Sequence, residues 1–125
     1  MDRKILIVDD EKNERDCILY LLKNSGLPLE IREAEDGVSA LSLLKGWPAH
    51  ILFTDVQMPR MDGLELIRKA LALYPDIRPI IFSGYADFAY AKTAISLGVE
   101  NYILKPVVPD ELSKTLTSLI GQLDA

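Results

Sequence analysis

The 125-residue sequence is 49% hydrophobic and 26% charged, with a formal net charge of −5 at neutral pH. This length and composition predict one domain, residues 1–125, with a single apolar core. The acidic balance argues against nonspecific nucleic-acid binding, which needs clustered Lys and Arg. No stretch is long and apolar enough for a signal peptide or a membrane span. The single cysteine, Cys17, is interpreted as a small core residue, and we expect a cytoplasmic protein without membrane contact.

Short β-rich runs alternate with helix-length amphipathic stretches, a pattern typical of a doubly wound α/β fold with a parallel sheet between two helical layers. The predicted strands are Lys4–Val8, Glu30–Glu35, His50–Thr54, Ile77–Phe82 and Asn101–Leu104. The predicted helices are Glu11–Ser25, Gly37–Lys45, Gly63–Leu73, Asp87–Leu97 and Pro109–Leu123. We expect Asp36 and Asp62 to cap helix N-termini, and Gly26, Gly46 and Gly98 to cap helix C-termini.

Charged residues follow three of the predicted strands. The acidic pair Asp9-Asp10 ends the first strand, Asp55 follows the third, and Lys105 follows the fifth. Because parallel strands end at one edge of a sheet, where such folds bind ligands, these groups are expected to meet. Clustered carboxylates repel one another and favour either a shared proton or a divalent cation.

These residue types suit phosphoryl transfer. An aspartate beyond a buried strand can act as the nucleophile when a cation such as Mg²⁺, which prefers oxygen ligands, screens its charge. Lys105 would neutralise a phosphoryl oxygen, and Ser83 could donate its hydroxyl hydrogen to the same group. Taken singly, Ser83 is equally a turn residue, Lys105 a solvated strand end and Asp10 a helix cap, so their conjunction carries the hypothesis. His50 has no partner at metal-ligand spacing and is assigned no functional role.

Four motifs carry a resemblance to a known family over essentially the whole sequence. They are Ile-Leu-Ile-Val-Asp9-Asp10-Glu11, Thr54-Asp55-Val56-Gln57-Met58-Pro59 with Met61-Asp62-Gly63, Phe82-Ser83-Gly84-Tyr85, and Tyr102-Ile103-Leu104-Lys105-Pro106. Each motif is weak alone, but together they are highly specific. The chain resembles the receiver domains of bacterial two-component response regulators, which implies a flavodoxin-like five-stranded parallel sheet in the order 2-1-3-4-5.

The resemblance implies a role for each residue of the predicted site. Asp55 would be the phosphoacceptor, and Ser83 and Lys105 would hold the phosphoryl oxygens. The Mg²⁺ ligands would be the carboxylates of Asp9, Asp10 and Asp55 and the backbone carbonyl of Gln57. The phosphoryl group would come from a sensor histidine kinase or from acetyl phosphate. The domain would catalyse this transfer and its own slow dephosphorylation, but would act mainly as a signalling switch.

The resemblance also implies an output surface. A phosphoryl group adds about −1.5 to −2 charges at neutral pH, and as Ser83 moves toward it, Tyr102 would turn inward. The affected surface is the fourth helix, fifth strand and fifth helix, where partners or a second receiver would dock. The stretch 82–92 resembles receivers fused to AraC-type DNA-binding domains. We therefore expect part of a longer transcription regulator, or else a stand-alone receiver, with DNA contact only through an output domain outside this sequence.

Two other interpretations remain open. Haloacid-dehalogenase-like phosphatases also combine Asp, Ser or Thr, Lys and Mg²⁺, but their nucleophile ends the first strand in an Asp-x-Asp arrangement. A degenerate receiver would signal by protein contact alone and would bind Mg²⁺ poorly. The presence of all the expected site residues argues against this interpretation. A bulky Tyr85, two residues after Ser83, is hypothesised to slow dephosphorylation.

Overall fold

A computed structural model describes residues 2–84 and 88–125 of the chain. The elements are β1 (Arg3–Val8), α1 (Lys12–Lys23), β2 (Leu29–Ala34), α2 (Gly37–Gly46), β3 (Ile51–Asp55), α3 (Gly63–Leu73), β4 (Arg78–Ser83), α4 (Phe88–Ser96), β5 (Asn101–Leu104) and α5 (Pro109–Asp124). The predicted alternation of five strands and five helices is confirmed. The predicted helix start at Asp87 lies outside the described residues, as does Tyr85. No helix in the described ranges is long and apolar enough to cross a membrane.

The five strands form one parallel sheet in the order β2-β1-β3-β4-β5, which confirms the predicted fold class. β1 pairs with both β2 and β3, so the strand order reverses at β1. At the carboxyl end of the sheet, Val8 lies opposite Thr54, and Asp55 lies opposite Phe82. The residues that follow β1 and β3 therefore flank the crevice that such a reversal opens.

The sheet separates two apolar layers, because successive side chains of a strand point to opposite faces. Leu6 packs in the layer covered by α2, α3 and α4, whereas Ile5 packs in the layer covered by α1 and α5. The Phe53 and Phe82 rings stack in the second layer with their centroids 4.6 Å apart. β1, β3 and β4 are buried on both faces, which explains their continuous apolar runs. These packed strands therefore hold the residues at their carboxyl ends in fixed positions.

Both predicted N-caps are confirmed. The Asp36 side chain accepts the backbone N–H of Ser39 at 2.7 Å, and the Asp62 side chain accepts that of Glu65 at 2.8 Å. For α1 the capping residue is Glu11, without a side-chain cap hydrogen bond. The carboxylate of Asp10 is therefore not used as a helix cap.

Of the three predicted C-terminal glycine caps, two have the expected conformation, although the C-cap residue of α1 is Asn24, two positions before Gly26. Gly26 and Gly98 have positive φ angles of 75° and 81°, which glycine adopts without steric cost. The prediction for Gly46 is wrong, because it is the last residue of α2 and the capping position belongs to Trp47.

The prediction that Cys17 is a core residue is also wrong. Its side chain is exposed, while the neighbouring Ile18 and Leu22 form the buried stripe of α1. Adjacent residues on a helix point about 100° apart, so a shift of one position moved the cysteine off the buried face.

Arg60, in the loop between β3 and α3, is expected to be a source of strain. Its φ angle is 69°, in the left-handed region that costs a residue with a Cβ atom about 1 kcal/mol. Asparagine tolerates this region, so Arg60→Asn should raise the free energy of unfolding by about 0.5–1 kcal/mol. The measurement is the urea midpoint at constant m-value.

The matched control is Arg68→Asn, which makes the same substitution at an exposed position of α3. There asparagine only lowers helix propensity, and a loss of a few tenths of a kcal/mol, roughly, is expected. Equal destabilisation by the two substitutions would contradict the strain at Arg60.

Candidate functional site

Lys105 lies among three carboxylates at the carboxyl edge of the sheet. Its Nζ atom is 3.0 Å from Oδ2 of Asp55 and 3.5 Å from Oδ2 of Asp9, and it makes its closest contact with Oε2 of Glu14. The backbone N–H of Lys105 donates to the carbonyl of Ser83 at 2.7 Å, which anchors the lysine beside the end of β4. Groups from α1, from the end of β3 and from the residues that follow β1 and β5 thus lie together.

Asp9 is held at this edge by bonds to its backbone and side chain. It is fully buried, and its Oδ1 accepts the backbone N–H of Glu11 at 2.9 Å. Arg15 donates from Nη1 to the Asp9 carbonyl at 2.7 Å and from Nε to Glu33 at 3.0 Å. The Arg15–Glu33 pair therefore fixes the turn that follows β1.

Asp55 is the last residue of β3 and is 7% exposed. Its Oδ1 accepts the backbone N–H of Gln57 at 3.3 Å, while Oδ2 faces Lys105. The return of the chain toward α3 passes close behind it, since the N–H of Gly63 donates to the Val56 carbonyl at 2.7 Å. One carboxylate edge of Asp55 is thus oriented by backbone and the other by the ammonium.

Burial and charge set opposite protonation states for the groups of this cluster. Burial is the main cause that raises the pKa of Asp9 from 3.8 to about 7, opposed by the Glu11 N–H and the charge of Lys105. Burial would also raise the pKa of Glu14, but hydrogen bonds with Lys105 and Asp9 outweigh it and leave that pKa below its usual value. Burial alone would lower the pKa of Lys105, yet its bonds to Glu14 and Asp55 raise it well above the ordinary range. Below neutral pH, therefore, Asp9 carries the proton and Lys105 stays an ammonium.

The sequence predicted the acidic cluster but not all of its members. Oxygen atoms of Asp9, Glu14 and Asp55 lie within 4.8 Å of one another, the one such group found among residues 2–84 and 88–125. Asp10 is exposed and lines a separate cavity of about 230 Å³ with Glu35 and neighbouring residues. Glu14 was missed because only strand ends were considered, although an acid in the first turn of the helix that follows Asp9 was an available signal.

The donor chemistry of the cluster fits a hard divalent cation. All three groups offer carboxylate oxygens, and neither a histidine nor a cysteine belongs to this group of described residues. Oxygen-only sets of this kind suit Mg²⁺ or Ca²⁺ rather than zinc. The acidic pocket of this chain could therefore bind a metal ion.

The other residues considered from the sequence, Ser83, Tyr102 and His50, lie at different points of the sheet. Ser83 is fully buried at the end of β4 and is paired in register with Leu104. Tyr102 is half-buried in β5, packed against the layer that includes α3 and α4. At the opposite end of β1, Nδ1 of His50 accepts the backbone N–H of Lys4 at 2.9 Å, which is a structural role.

The fold and the site together define a doubly wound α/β domain with an acidic, lysine-bearing pocket at the carboxyl edge of its sheet. The response regulator receiver domain family matches residues 5–117, and the chain belongs to this family. The resemblance noted from the sequence is thereby confirmed.

Curated relatives include regulators of different lengths. The transcriptional regulatory protein YesN of Bacillus subtilis is 38% identical over 121 residues, covering 96% of this chain and 33% of YesN. The transcriptional regulatory protein HptR of Staphylococcus aureus is 36% identical, with 96% of this chain and 47% of HptR covered. A chemotaxis protein CheY homolog of Campylobacter jejuni is 39% identical, with 94% and 92% covered. The chain therefore spans between a third and half of the two transcriptional regulators.

Solved structures agree with this assignment. The receiver domain of AraT, a response regulator from Geobacillus stearothermophilus, is 36% identical with a TM-score of 0.87, covering 99% of this chain and 97% of that one. A two-component transcriptional regulator AraC from Clostridium phytofermentans is 38% identical with a TM-score of 0.82, covering 99% and 100%. The second of these structures carries the AraC designation in its name.

Proposed function

We propose that residues 1–125 form one receiver domain that acts as the phosphoacceptor switch of a two-component system, with Asp55 as the acceptor. The observation that carries the proposal is the approach of Asp55 Oδ2 to within 3.0 Å of Lys105 Nζ, beside the buried Asp9. A carboxylate beside a fixed cation is suited to receive a phosphoryl group, because the ammonium neutralises part of the negative charge of that group.

In the proposed reaction, a carboxylate oxygen of Asp55 attacks the phosphorus of a phosphohistidine or of acetyl phosphate. The bond from phosphorus to the histidine nitrogen or the acetate oxygen breaks, the leaving group keeps the electron pair, and an acyl phosphate forms on Asp55. Lys105 and Ser83 bind the phosphoryl oxygens. Slow attack by water on phosphorus restores the carboxylate and releases phosphate.

A magnesium ion is part of this proposal. Asp9, Asp10, Asp55 and the backbone carbonyl of Gln57 would hold it, and it would screen the negative charges of acceptor and donor. The oxygen-only cluster of Asp9, Glu14 and Asp55 supports the first and third of these ligands. Asp10 is exposed and is not part of the group formed by Asp9, Glu14 and Asp55, so its side chain would have to turn toward the ion.

For the output, we propose that Ser83 and Tyr102 couple the phosphoryl group to the surface formed by α4, β5 and α5. Ser83 is the last residue of β4, and Tyr102 lies in the adjacent strand β5, in register with Ile81. Exposed apolar side chains of Ile95, Leu104 and Val108 mark this surface as one suited to a partner or a second receiver. The proposed phosphoryl donor is a sensor histidine kinase. The relatives named as transcriptional regulators support an output on DNA through a domain outside these residues.

The test is intact-protein mass spectrometry after incubation with Mg²⁺ and acetyl phosphate. The wild-type protein should gain the mass of one phosphoryl group, and Asp55→Asn should gain none because the amide is not nucleophilic. Asp62→Asn is the matched control, since Asp62 is an exposed helix cap in the following loop, and it should be labelled like the wild type. EDTA should abolish labelling. A phosphoryl group retained by Asp55→Asn, or no adduct on the folded wild type, would overturn the proposal.

A further inference from the structure

Glu14 belongs to the acidic cluster but is not among the residues proposed to hold Mg²⁺ or the phosphoryl oxygens, yet it makes the closest contact of Lys105. The ammonium of Lys105 has three N–H donors, and three carboxylates surround it. The contact with Glu14 is shorter than those with Asp55 at 3.0 Å and Asp9 at 3.5 Å. Glu14 therefore competes with Asp55 for the Lys105 ammonium.

The surroundings of Lys105 limit how far its ammonium can move. Its side chain is only 17% exposed, and Nζ lies 5.0 Å from the centroid of the Phe82 ring. Glu14 approaches the lysine from α1, with a side chain that is 44% exposed. A phosphoryl group on Asp55 would need at least one N–H of the ammonium that Glu14 now shares.

We propose that Glu14 is a positioning residue that acts through Lys105: it holds the ammonium in the unphosphorylated domain and competes with the phosphoryl group for it. This inference rests on the proposed phosphoacceptor role of Asp55. Glu14 thus weakens the hold of the site on a phosphoryl group, and removing its interaction with Lys105 tightens that hold.

The probe is beryllofluoride, a tetrahedral phosphoryl analogue that binds an aspartate oxygen, titrated by ¹⁹F NMR at a Mg²⁺ concentration that saturates every variant. Glu14→Gln removes the charge at nearly constant shape and should bind the analogue about twofold to fivefold more tightly, as expected for the loss of a part-exposed ion pair. Glu14→Asp keeps the charge but shortens the side chain by one methylene, so the carboxylate no longer reaches Lys105. It should bind the analogue as tightly as Glu14→Gln does.

Two comparisons separate competition for Lys105 from a plain charge effect. Asp16→Asn removes one negative charge from the exposed side of the same helix, where Asp16 pairs with Lys12 at 2.8 Å, and should leave the affinity unchanged. A Glu14→Asp variant that binds like the wild type while Glu14→Gln tightens would show a charge effect alone and overturn the inference. Unchanged or weaker binding by Glu14→Gln would also overturn it. Failure of the wild type itself to bind the analogue would instead contradict the role of Asp55, on which the inference rests.

Discussion

Gly63→Ala is expected to destabilise the domain by about 2–4 kcal/mol, the range for overpacking combined with a broken backbone hydrogen bond. A Cβ atom at position 63 would lie 2.0 Å from the carbonyl oxygen of Asp55 and 3.1 Å from Cα of Val56. These are backbone atoms at the end of a buried strand, so they cannot rotate away as a side chain would. Either β3 or the start of α3 must move, and the hydrogen bond of 2.7 Å between Gly63 and Val56 should break first.

The matched control for this prediction is Gly121→Ala in α5, where an added Cβ meets nothing within 4 Å. There alanine should stabilise the domain by up to about 1 kcal/mol through helix propensity. Urea unfolding of both variants measures the difference. Because the displaced backbone belongs to Asp55, labelling by acetyl phosphate should also slow in Gly63→Ala but not in Gly121→Ala. Stability within about 0.5 kcal/mol of the wild type in Gly63→Ala would contradict the close approach.

Much of the fold could be predicted from the sequence because local signals and global pattern agree. The continuous apolar runs of β1, β3 and β4 indicated strands that are buried on both faces. The amphipathic stretches between them indicated helices that pack their apolar faces on the sheet. The wrong predictions concern the burial or the helix boundary of a single residue. Cys17 sits one position from the buried stripe of α1, and Gly46 was assigned beyond a helix that in fact includes it.

The site was predictable only in part, for a physical reason. Strand ends of a parallel sheet share one edge, so Asp9, Asp55 and Lys105 could be placed together from sequence. Which residue of α1 reaches that edge depends on the rotation of the helix about its axis, which the sequence pattern does not fix to within one residue. Glu14, an acid in the first turn of α1, was a candidate for that position, but it was missed because only strand ends were considered. Asp10, next to a buried aspartate, is exposed.

Asp9→Asn should stabilise the metal-free domain while it removes metal binding. Burial raises the pKa of Asp9 to about 7 in the folded protein, above its ordinary value of 3.8. The folded state thus binds the Asp9 proton more tightly than the unfolded state does. The stability that this proton contributes is therefore fully present below about pH 4 and is lost as the pH rises to about 7. Above that pH the buried Asp9 carboxylate is charged, and its bond to the Glu11 N–H and the charge of Lys105 compensate its burial only in part. The asparagine side chain is neutral and does not carry this cost. We expect Asp9→Asn to gain about 1–3 kcal/mol in EDTA at pH 8.

The adjacent Asp10 provides the control, because it is exposed and Asp10→Asn should leave metal-free stability unchanged. In EDTA, the urea midpoint of the wild type should fall between pH 5 and about 7.5, and that of Asp9→Asn should fall less. Mg²⁺ at pH 8 should restore stability to the wild type, since a cation that binds only the folded state stabilises it. Asp9→Asn should not respond. A wild-type midpoint that does not fall with pH in EDTA, or an Asp9→Asn variant that Mg²⁺ still stabilises, would contradict the assignment of a buried, protonated Asp9 as a metal ligand.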